Sequence, residues 1–240
     1  MRVEDKLFDE VPNRIGKSSL KWSKYKNFDI IPLWVADMDF RSPSPVIQLA
    51  REISDDGNFG YGICPPALSE TVINRLNDFY DWSVERNSII WLPGMVCGLN
   101  IACRSLADEA TQVITNTPVY PPFLSSPGNS GLPCTRIPMI VKEGRFTIDF
   151  DALHNLETSP NDLFMLCHPH NPVGTNFSRQ ELENLSEYII ERELFICSDE
   201  IHCDLILEES LSHIPFASLS DEVADRTITL MAPSKTFNLA

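Results

Sequence analysis

The sequence is poor in positively charged residues. It contains 19 lysines and arginines against 34 aspartates and glutamates, so its formal net charge is −15. Phosphate backbones and anionic membrane surfaces are bound by clustered Lys and Arg side chains, and the acidity therefore argues against a nucleic-acid or membrane partner. No apolar run is long enough to span a bilayer, and the charged first 14 residues lack the apolar core of a secretory signal.

The cysteines lack the spacing of a disulfide framework. There are seven, an odd number, and several lie inside apolar runs. This pattern favours reduced thiols in a cytoplasmic protein. The side chains of His168, His170, His202 and Cys203 are candidate metal ligands, but no C-x-x-C pair or H-E-x-x-H helix accompanies them. We therefore predict no metal site.

Two nucleotide-binding motifs are also missing. No G-x-G-x-x-G follows an apolar segment, and no G-x-x-x-x-G-K-[ST] occurs anywhere in the chain. These glycine-rich loops let backbone N–H groups approach a pyrophosphate or nucleotide phosphate. Their absence argues against a nicotinamide-dependent dehydrogenase and against a P-loop nucleotidase.

Short apolar segments alternate with stretches of helical spacing along most of the chain. The pattern predicts strands at Ser88–Leu92, Gln112–Thr115, Arg136–Val141, Leu163–Cys167, Leu194–Cys197 and Thr227–Met231. It predicts helices at Val46–Ile53, Pro66–Trp82, Met95–Leu106, Asp149–Leu156 and Ser178–Glu193, the last opened by a serine cap with Glu181 three residues on. Apolar strands separated by helices indicate an α/β fold with a mostly parallel sheet flanked by helices.

The two ends of the chain differ from its middle. Residues 1–45 are irregular, and we expect an N-terminal arm and a small-domain segment there. We expect residues 46–240 to form one large domain. Because the chain ends at Asn238-Leu239-Ala240, soon after a predicted strand and without a closing helix, we expect this domain to be incomplete at its C-terminus.

Three predicted strands end in unusual polar residues. Asn171 follows the strand that ends at Cys167, Asp199 follows the strand that ends at Cys197, and Lys235 follows the last strand. Each has an ordinary structural explanation: Asn171-Pro172-x-Gly is a turn sequence, Asp199 could cap a helix, and Lys235 could be a surface lysine. The carboxyl ends of parallel strands meet at one edge, where ligands bind. An amide, a carboxylate and an amine at this edge are what pyridoxal 5′-phosphate (PLP) requires.

The order of six motifs resembles that of fold-type I PLP enzymes in the aminotransferase class I/II superfamily, and within them the cystathionine β-lyase group (the MalY/PatB type). The resemblance runs from about Phe8 to the last residue. The motifs are Asp37-Met38-Asp39-Phe40, Phe59-Gly60-Tyr61, Tyr120-Pro121-Pro122-Phe123, His170-Asn171-Pro172-Val173-Gly174, Ser198-Asp199-Glu200-Ile201-His202 and Ala232-Pro233-Ser234-Lys235-Thr236-Phe237-Asn238-Leu239-Ala240.

The resemblance implies a role for each candidate site residue. Lys235 would hold PLP as an imine and then move protons at Cα, Asp199 would pair with the pyridinium nitrogen, and Asn171 would bind the ring oxygen. Tyr120 would stack on the ring, His202 would lie near its oxygen, and the phosphate would be bound by Gly94, Met95, Val96, Ser234 and Tyr61 of a partner subunit. The family thus implies a homodimer. Ala232 stands where many relatives have a phosphate-binding serine.

The resemblance also implies a reaction. Cystathionine or a cysteine S-conjugate would lose its thiol by β-elimination, leaving pyruvate and ammonia. An aminotransferase would use the same cofactor site, so that alternative stays open.

A third reading is an inactive fragment. In the family, the arginine that binds the substrate carboxylate and a basic residue that binds phosphate follow the lysine, the arginine in a small C-terminal domain. Both would lie beyond Ala240, so we expect that small domain to be absent from this chain.

Overall fold

The computed structural model describes residue 9 and residues 11–239. The chain divides into two compact units. Unit 1 consists of residues 1–63 and 233–240, and unit 2 of residues 64–232. The start of the proposed arm, at residues 1–8, lies outside the described residues.

The helices and strands follow one another in the order that an α/β fold requires. The helices are α1 (Leu20–Ser23), α2 (Ser44–Asp56), α3 (Pro66–Tyr80), α4 (Met95–Ser105), α5 (Pro122–Asn129), α6 (Phe150–His154), α7 (Arg179–Glu191), α8 (Asp221–Ala224) and α9 (Pro233–Thr236). The strands are β1 (Val113–Thr117), β2 (Cys134–Pro138), β3 (Ile140–Lys142), β4 (Arg145–Thr147), β5 (Leu163–Cys167), β6 (Phe195–Asp199) and β7 (Thr227–Leu230). Helices α1, α2 and α9 belong to unit 1, and the other elements belong to unit 2.

Unit 2 is built on a five-stranded sheet in the order β2-β1-β5-β6-β7. All four pairings in it are parallel, which confirms the predicted sheet. Strands β3 and β4 form a separate antiparallel pair.

Both faces of this sheet are buried because successive side chains of a strand point to opposite sides. In β5, Phe164 and Leu166 pack into a core with α7, whereas Leu163 and Met165 pack into a second core with α4 and α5. A strand that is covered on both faces has an almost continuous apolar sequence. This is why Leu163–Cys167 was predictable as a strand to the residue.

Two predicted strands require correction. Ser88–Leu92 is not a strand: a short 3₁₀ turn at Arg86–Ser88 is followed by irregular chain, and Ile90 is 79% exposed. Among the described residues none pairs with this segment, and an apolar run without a neighbouring strand cannot form a ladder. Arg136–Val141 is two strands instead of one. The break falls at Met139, whose N–H donates to the carbonyl of Thr117 at 2.8 Å.

The remaining predicted elements are present, with ends that move by a few residues. Helix α2 is longer than expected, and β6 extends to Asp199. The short elements α1, α5, α8, α9 and β4 were not predicted. Helix α5 contains Pro127 and begins within Pro121-Pro122, so its sequence has the residues of a turn more than those of a helix.

The predicted cap of α7 is confirmed and extends into a larger network. Ser178 and Glu181 form a reciprocal capping box, and the Glu181 carboxylate also accepts hydrogen bonds from Arg145 and Thr147. Burial of Glu181 opposes its ionisation, but these hydrogen bonds outweigh the burial and lower the pKa of Glu181 to about 2.

Glu181 should therefore contribute to the loss of stability in acid. Because its folded pKa lies below its ordinary value of 4.5, its stabilising effect is complete above that pH and is lost as the pH falls towards 2. We expect Glu181→Gln to lower the stability at pH 7 by about 2 kcal/mol, and to lose less further stability than the wild type between pH 5 and 2. Thermal unfolding across this range measures both effects.

Glu183→Gln is the matched control, because Glu183 lies on the same helix, is half exposed and makes only a 3.7 Å pair with Arg179. An identical acid profile for Glu181→Gln and the wild type would contradict the assignment.

Candidate functional site

The carboxyl ends of three neighbouring strands lie side by side in unit 2. In the sheet register Cys167 of β5 is opposite Asp199 of β6, and Asp199 is opposite Leu230 of β7. The N–H of His168 donates to the carbonyl of Asp199 at 2.9 Å, which ties the chain leaving β5 to the end of β6. The three strand ends that the sequence singled out therefore meet at one edge of the sheet.

Asn171 and Tyr120 are joined at this edge through their backbones. The N–H of Tyr120 donates to the carbonyl of Asn171 at 3.1 Å. The N–H of Asn171 donates to the Cys167 Sγ at 3.3 Å, and a ring nitrogen of His170 lies 2.8 Å from the carbonyl oxygen of Pro118. The chain after β1 and the chain after β5 thus hold each other in place, and the Tyr120 side chain is 36% exposed.

Asp199 places a carboxylate in a largely dry environment. The residue is only 3% exposed, and its Oδ1 accepts the N–H of Ile201 at 3.1 Å. Its negative charge is felt by two neighbouring thiols: burial, and then the charge of Asp199, raise the pKa of both Cys167 and Cys197. A buried carboxylate of this kind favours a cationic partner.

The histidines near this edge differ in burial. His202 lies three residues beyond Asp199 in a turn and is half-buried. The rings of His168 and His170 are buried and each is hydrogen-bonded to a main-chain carbonyl. Burial lowers the pKa of His168 to about 3, so this ring is neutral near pH 7.

Helix α4 begins next to the same edge. A Cβ on Gly98, in its first turn, would come within 3.0 Å of the Leu230 side chain at the end of β7, so the helix start lies close to that strand end. Gly94 precedes the helix without a capping side chain, and the first helical bond runs from the Gly98 N–H to the Gly94 carbonyl. Within residues 11–239 no acceptor is recorded for the N–H groups of Met95 and Val96, and the space around the Gly94 Cα is open.

The three other candidates lie in unit 1. Lys235, in α9, is half-buried, and its Nζ donates to the carbonyl of Ala36 at 3.1 Å. Ser234 is half-buried, and its carbonyl accepts the N–H of Leu239. The side chain of Tyr61 is fully exposed in an irregular segment. The structure thus brings Tyr120, Asn171, Asp199 and the start of α4 together in unit 2, and describes Lys235, Ser234 and Tyr61 as part of the other unit.

Glu200 and His213 form a buried pair that the sequence did not reveal. Glu200 Oε2 lies 2.6 Å from His213 Nε2, and both side chains are fully buried. Glu200 Oε1 accepts hydrogen bonds from the Ser198 hydroxyl at 2.8 Å and from the N–H of Phe216 at 2.9 Å. These contacts hold the loop that carries His213 and Phe216 against Glu200, the residue that follows Asp199. The members of the pair are thirteen positions apart in the sequence, and no motif marks His213, so the sequence gives no signal for the pair.

The residues of unit 2 fit the chemistry of PLP. The buried Asp199 carboxylate suits a protonated ring nitrogen, and the uncapped N–H groups at the start of an 11-residue helix suit a phosphate, because the helix dipole favours an anion there. A flat aromatic side chain, Tyr120, lies at the same edge. Among the described residues, no group of three His, Cys, Asp or Glu side chains is placed to hold a metal ion.

No helix in the described part of the chain is both long enough and apolar enough to cross a membrane.

The sequence model of the family described as aminotransferase class I and II matches residues 29–240. The cystathionine β-lyase PatB of Bacillus subtilis is 39% identical over 238 residues, which is 97% of this chain and 61% of PatB. The crystal structure of OvoB has a TM-score of 0.91 and 41% identity, over 96% of this chain and 60% of OvoB.

A third similar protein is cystalysin from Treponema denticola, whose crystal structure contains a PLP cofactor. Its TM-score is 0.87 and its identity 32%, over 96% of this chain and 60% of cystalysin. The chain therefore spans about 60% of the length of the relatives it matches.

Proposed function

The chain belongs to the aminotransferase class I and II family, and from this premise we propose that it is the PLP-binding part of a carbon–sulfur β-lyase. The substrate class is cystathionine or another cysteine S-conjugate, and the products are a thiol, pyruvate and ammonia. The observation that carries the proposal is the buried carboxylate of Asp199, which lies at the edge of the sheet beside the Asn171 segment.

Each of the following residues has a proposed task. Asp199 holds a proton on the ring nitrogen, Asn171 donates a hydrogen bond to the ring oxygen with His202 nearby, and Tyr120 packs on the ring face. Lys235 would hold the cofactor through its amino group and, once released, would carry the proton to and from Cα. The phosphate is bound by the N–H groups at Gly94, Met95 and Val96, with Ser234 as a further donor.

The bound cofactor supplies an electron sink that stabilises negative charge at the Cα of an amino acid. The protein contributes the base at Cα, which is Lys235, and the fixed charge of the buried Asp199 carboxylate. With that sink in place, a sulfur substituent on Cβ of the substrate would be able to leave as a thiol. The sulfur on the substrate, together with the base, accounts for β-elimination.

The second candidate is an aminotransferase, and the description of the matching family favours it. Both reactions begin with the loss of the Cα proton, so the residues at the edge of the sheet serve either one. The reactions differ in their products: elimination releases a thiol, whereas amino transfer converts a 2-oxo acid into an amino acid.

Product analysis tests the proposal. We expect the purified protein, incubated with PLP and cystathionine, to release pyruvate and thiol in equal amounts, and Lys235→Ala to release neither. Lys142→Ala is the matched control, because Lys142 is an exposed lysine of β3. Amino transfer to an added 2-oxo acid, without thiol or pyruvate, would contradict the lyase and support the aminotransferase.

The proposal extends to organisation in the cell. We propose a cytoplasmic homodimer in which Tyr61 reaches the phosphate of the partner subunit, and a large PLP-binding domain over residues 46–240 with an arm and small-domain segment before it. The full exposure of Tyr61, with Phe59 and Ile63 also exposed nearby, supports a contact of this segment with another surface.

A further inference from the structure

The segment Ala36–Phe40 of unit 1 has no task in the proposed function, although it contains the Asp37-Met38-Asp39-Phe40 motif. It is irregular in conformation but is held by many side chains. Lys21, only 5% exposed, donates to the Asp37 carbonyl at 2.8 Å and to the Asp39 carboxylate at 2.6 Å. Arg14 pairs with the Asp37 carboxylate at 2.7 Å. Such a density of charged hydrogen bonds fixes the backbone of the segment.

Asn238 holds the same segment from the other side. Its Oδ1 accepts the N–H of Met38 at 3.1 Å, and its Nδ2 donates to the Met38 carbonyl at 3.2 Å. The side-chain amide thereby pairs with the backbone of Met38 as a neighbouring strand would. Asn238 has a φ of 53°, in the left-handed region that asparagine adopts more readily than most residues.

The Lys235 amine is hydrogen-bonded to the backbone of this segment. Lys235 precedes Asn238 by three residues, and its Nζ donates to the Ala36 carbonyl at 3.1 Å. Ala36 is two residues from Met38, so the lysine and the asparagine contact adjacent peptide groups. The position of the acceptor for Nζ therefore depends on the Asn238–Met38 pair.

We propose that the Ala36 carbonyl is the resting position of the Lys235 amine whenever that amine is not bonded to the cofactor, and that Asn238 is the positioning residue that keeps this acceptor in place. The inference deepens the proposed function and rests on it for the role of Lys235. The Lys235 amine would then stay hydrogen-bonded to the Ala36 carbonyl while substrate is bound. The hydrogen bonds of the Asp37–Phe40 motif then fix the backbone that follows the Ala36 carbonyl.

Trace acetylation of the lysines tests the proposal without cofactor or substrate. The purified protein, free of PLP, is treated with a low concentration of acetic anhydride, and the modification of each lysine is measured by peptide mass spectrometry. We expect Asn238→Gly to raise the acetylation rate of Lys235 by roughly fivefold to tenfold, as the loss of one to two ordinary hydrogen bonds would. Glycine tolerates the left-handed conformation, so no backbone strain is added.

Asn161→Gly is the matched control, because Asn161 is also left-handed, with a φ of 68°, and lies in unit 2. We expect it to leave Lys235 unchanged. Lys142 reports on general loosening, and we expect its rate to stay constant in every variant. Asn238→Asp, which keeps the acceptor for the Met38 N–H but loses the donor, should raise the Lys235 rate in the same direction if Asn238→Gly folds poorly.

An unchanged Lys235 rate in both Asn238 variants would overturn the proposal, and so would an equal rise at Lys142. Attachment of PLP to Lys235 in the wild-type protein is measured separately by borohydride reduction. Attachment together with an unchanged acetylation rate would refute the resting position alone, whereas no attachment at Lys235 would refute the proposed function.

Discussion

Under the proposed β-lyase activity, replacing Asp199 with asparagine is expected to lower the rate of thiol release from cystathionine by roughly a hundredfold to a thousandfold, the scale on which loss of one preorganised polar group acts. The neutral amide cannot hold a proton on the ring nitrogen, so the ring would withdraw electrons from Cα less strongly. The measurement is kcat in saturating PLP and cystathionine.

The fold should survive this change. Asparagine keeps an oxygen that can accept the N–H of Ile201, the contact that Asp199 makes at 3.1 Å. Asp151→Asn, at an exposed position in α6, is the control for a general effect of losing one carboxylate. Equal activity of the two variants, with equal thermal stability, would show that Asp199 does not act on the cofactor.

Replacing Glu200 with alanine should cause a large loss of stability. Three buried donors, in Ser198, His213 and Phe216, would lose their acceptor at once. Breaking a buried polar pair by removing one partner costs about 3–5 kcal/mol. For a chain of this size, that corresponds to a fall of about 6–20 °C in the midpoint of thermal unfolding.

A double-mutant cycle with His213→Ala separates the pair from the rest of the network. We expect the two losses to be less than additive, since each variant already breaks the same contact. Glu209→Ala, at an exposed position, is the matched control and should change the midpoint little. A Glu200 variant as stable as this control would contradict the buried pair.

The sheet was largely predictable because its strands are buried on both faces. Leu163–Cys167 is apolar throughout and Phe195–Asp199 is apolar over its first three residues, and such a run has few other conformations that bury it. The α7 cap was predictable because Ser178 and Glu181 are three residues apart. The apolar run Ser88–Leu92 led to a wrong strand prediction. An apolar run indicates a buried strand only when a neighbouring strand is available, and the run itself does not specify one.

The edge of the sheet was predictable in part. The positions of Asn171 and Asp199 follow from strand order and register. The partners of Glu200 could not be predicted. His213 follows it by thirteen positions in a loop, and no sequence motif links the two residues. The acceptor of the Lys235 amine, the Ala36 carbonyl, is a backbone atom distant in sequence, and no side-chain pattern identifies such an atom.

Borohydride reduction of the PLP-treated protein determines whether Lys235 binds the cofactor covalently. The protein is mixed with PLP, its visible absorbance is recorded, and peptides are mapped by mass spectrometry after reduction. We expect a new visible band and a phosphopyridoxyl group on Lys235, and neither in Lys235→Ala. A phosphopyridoxyl group spread over surface lysines such as Lys142, or no band at all, would contradict this expectation.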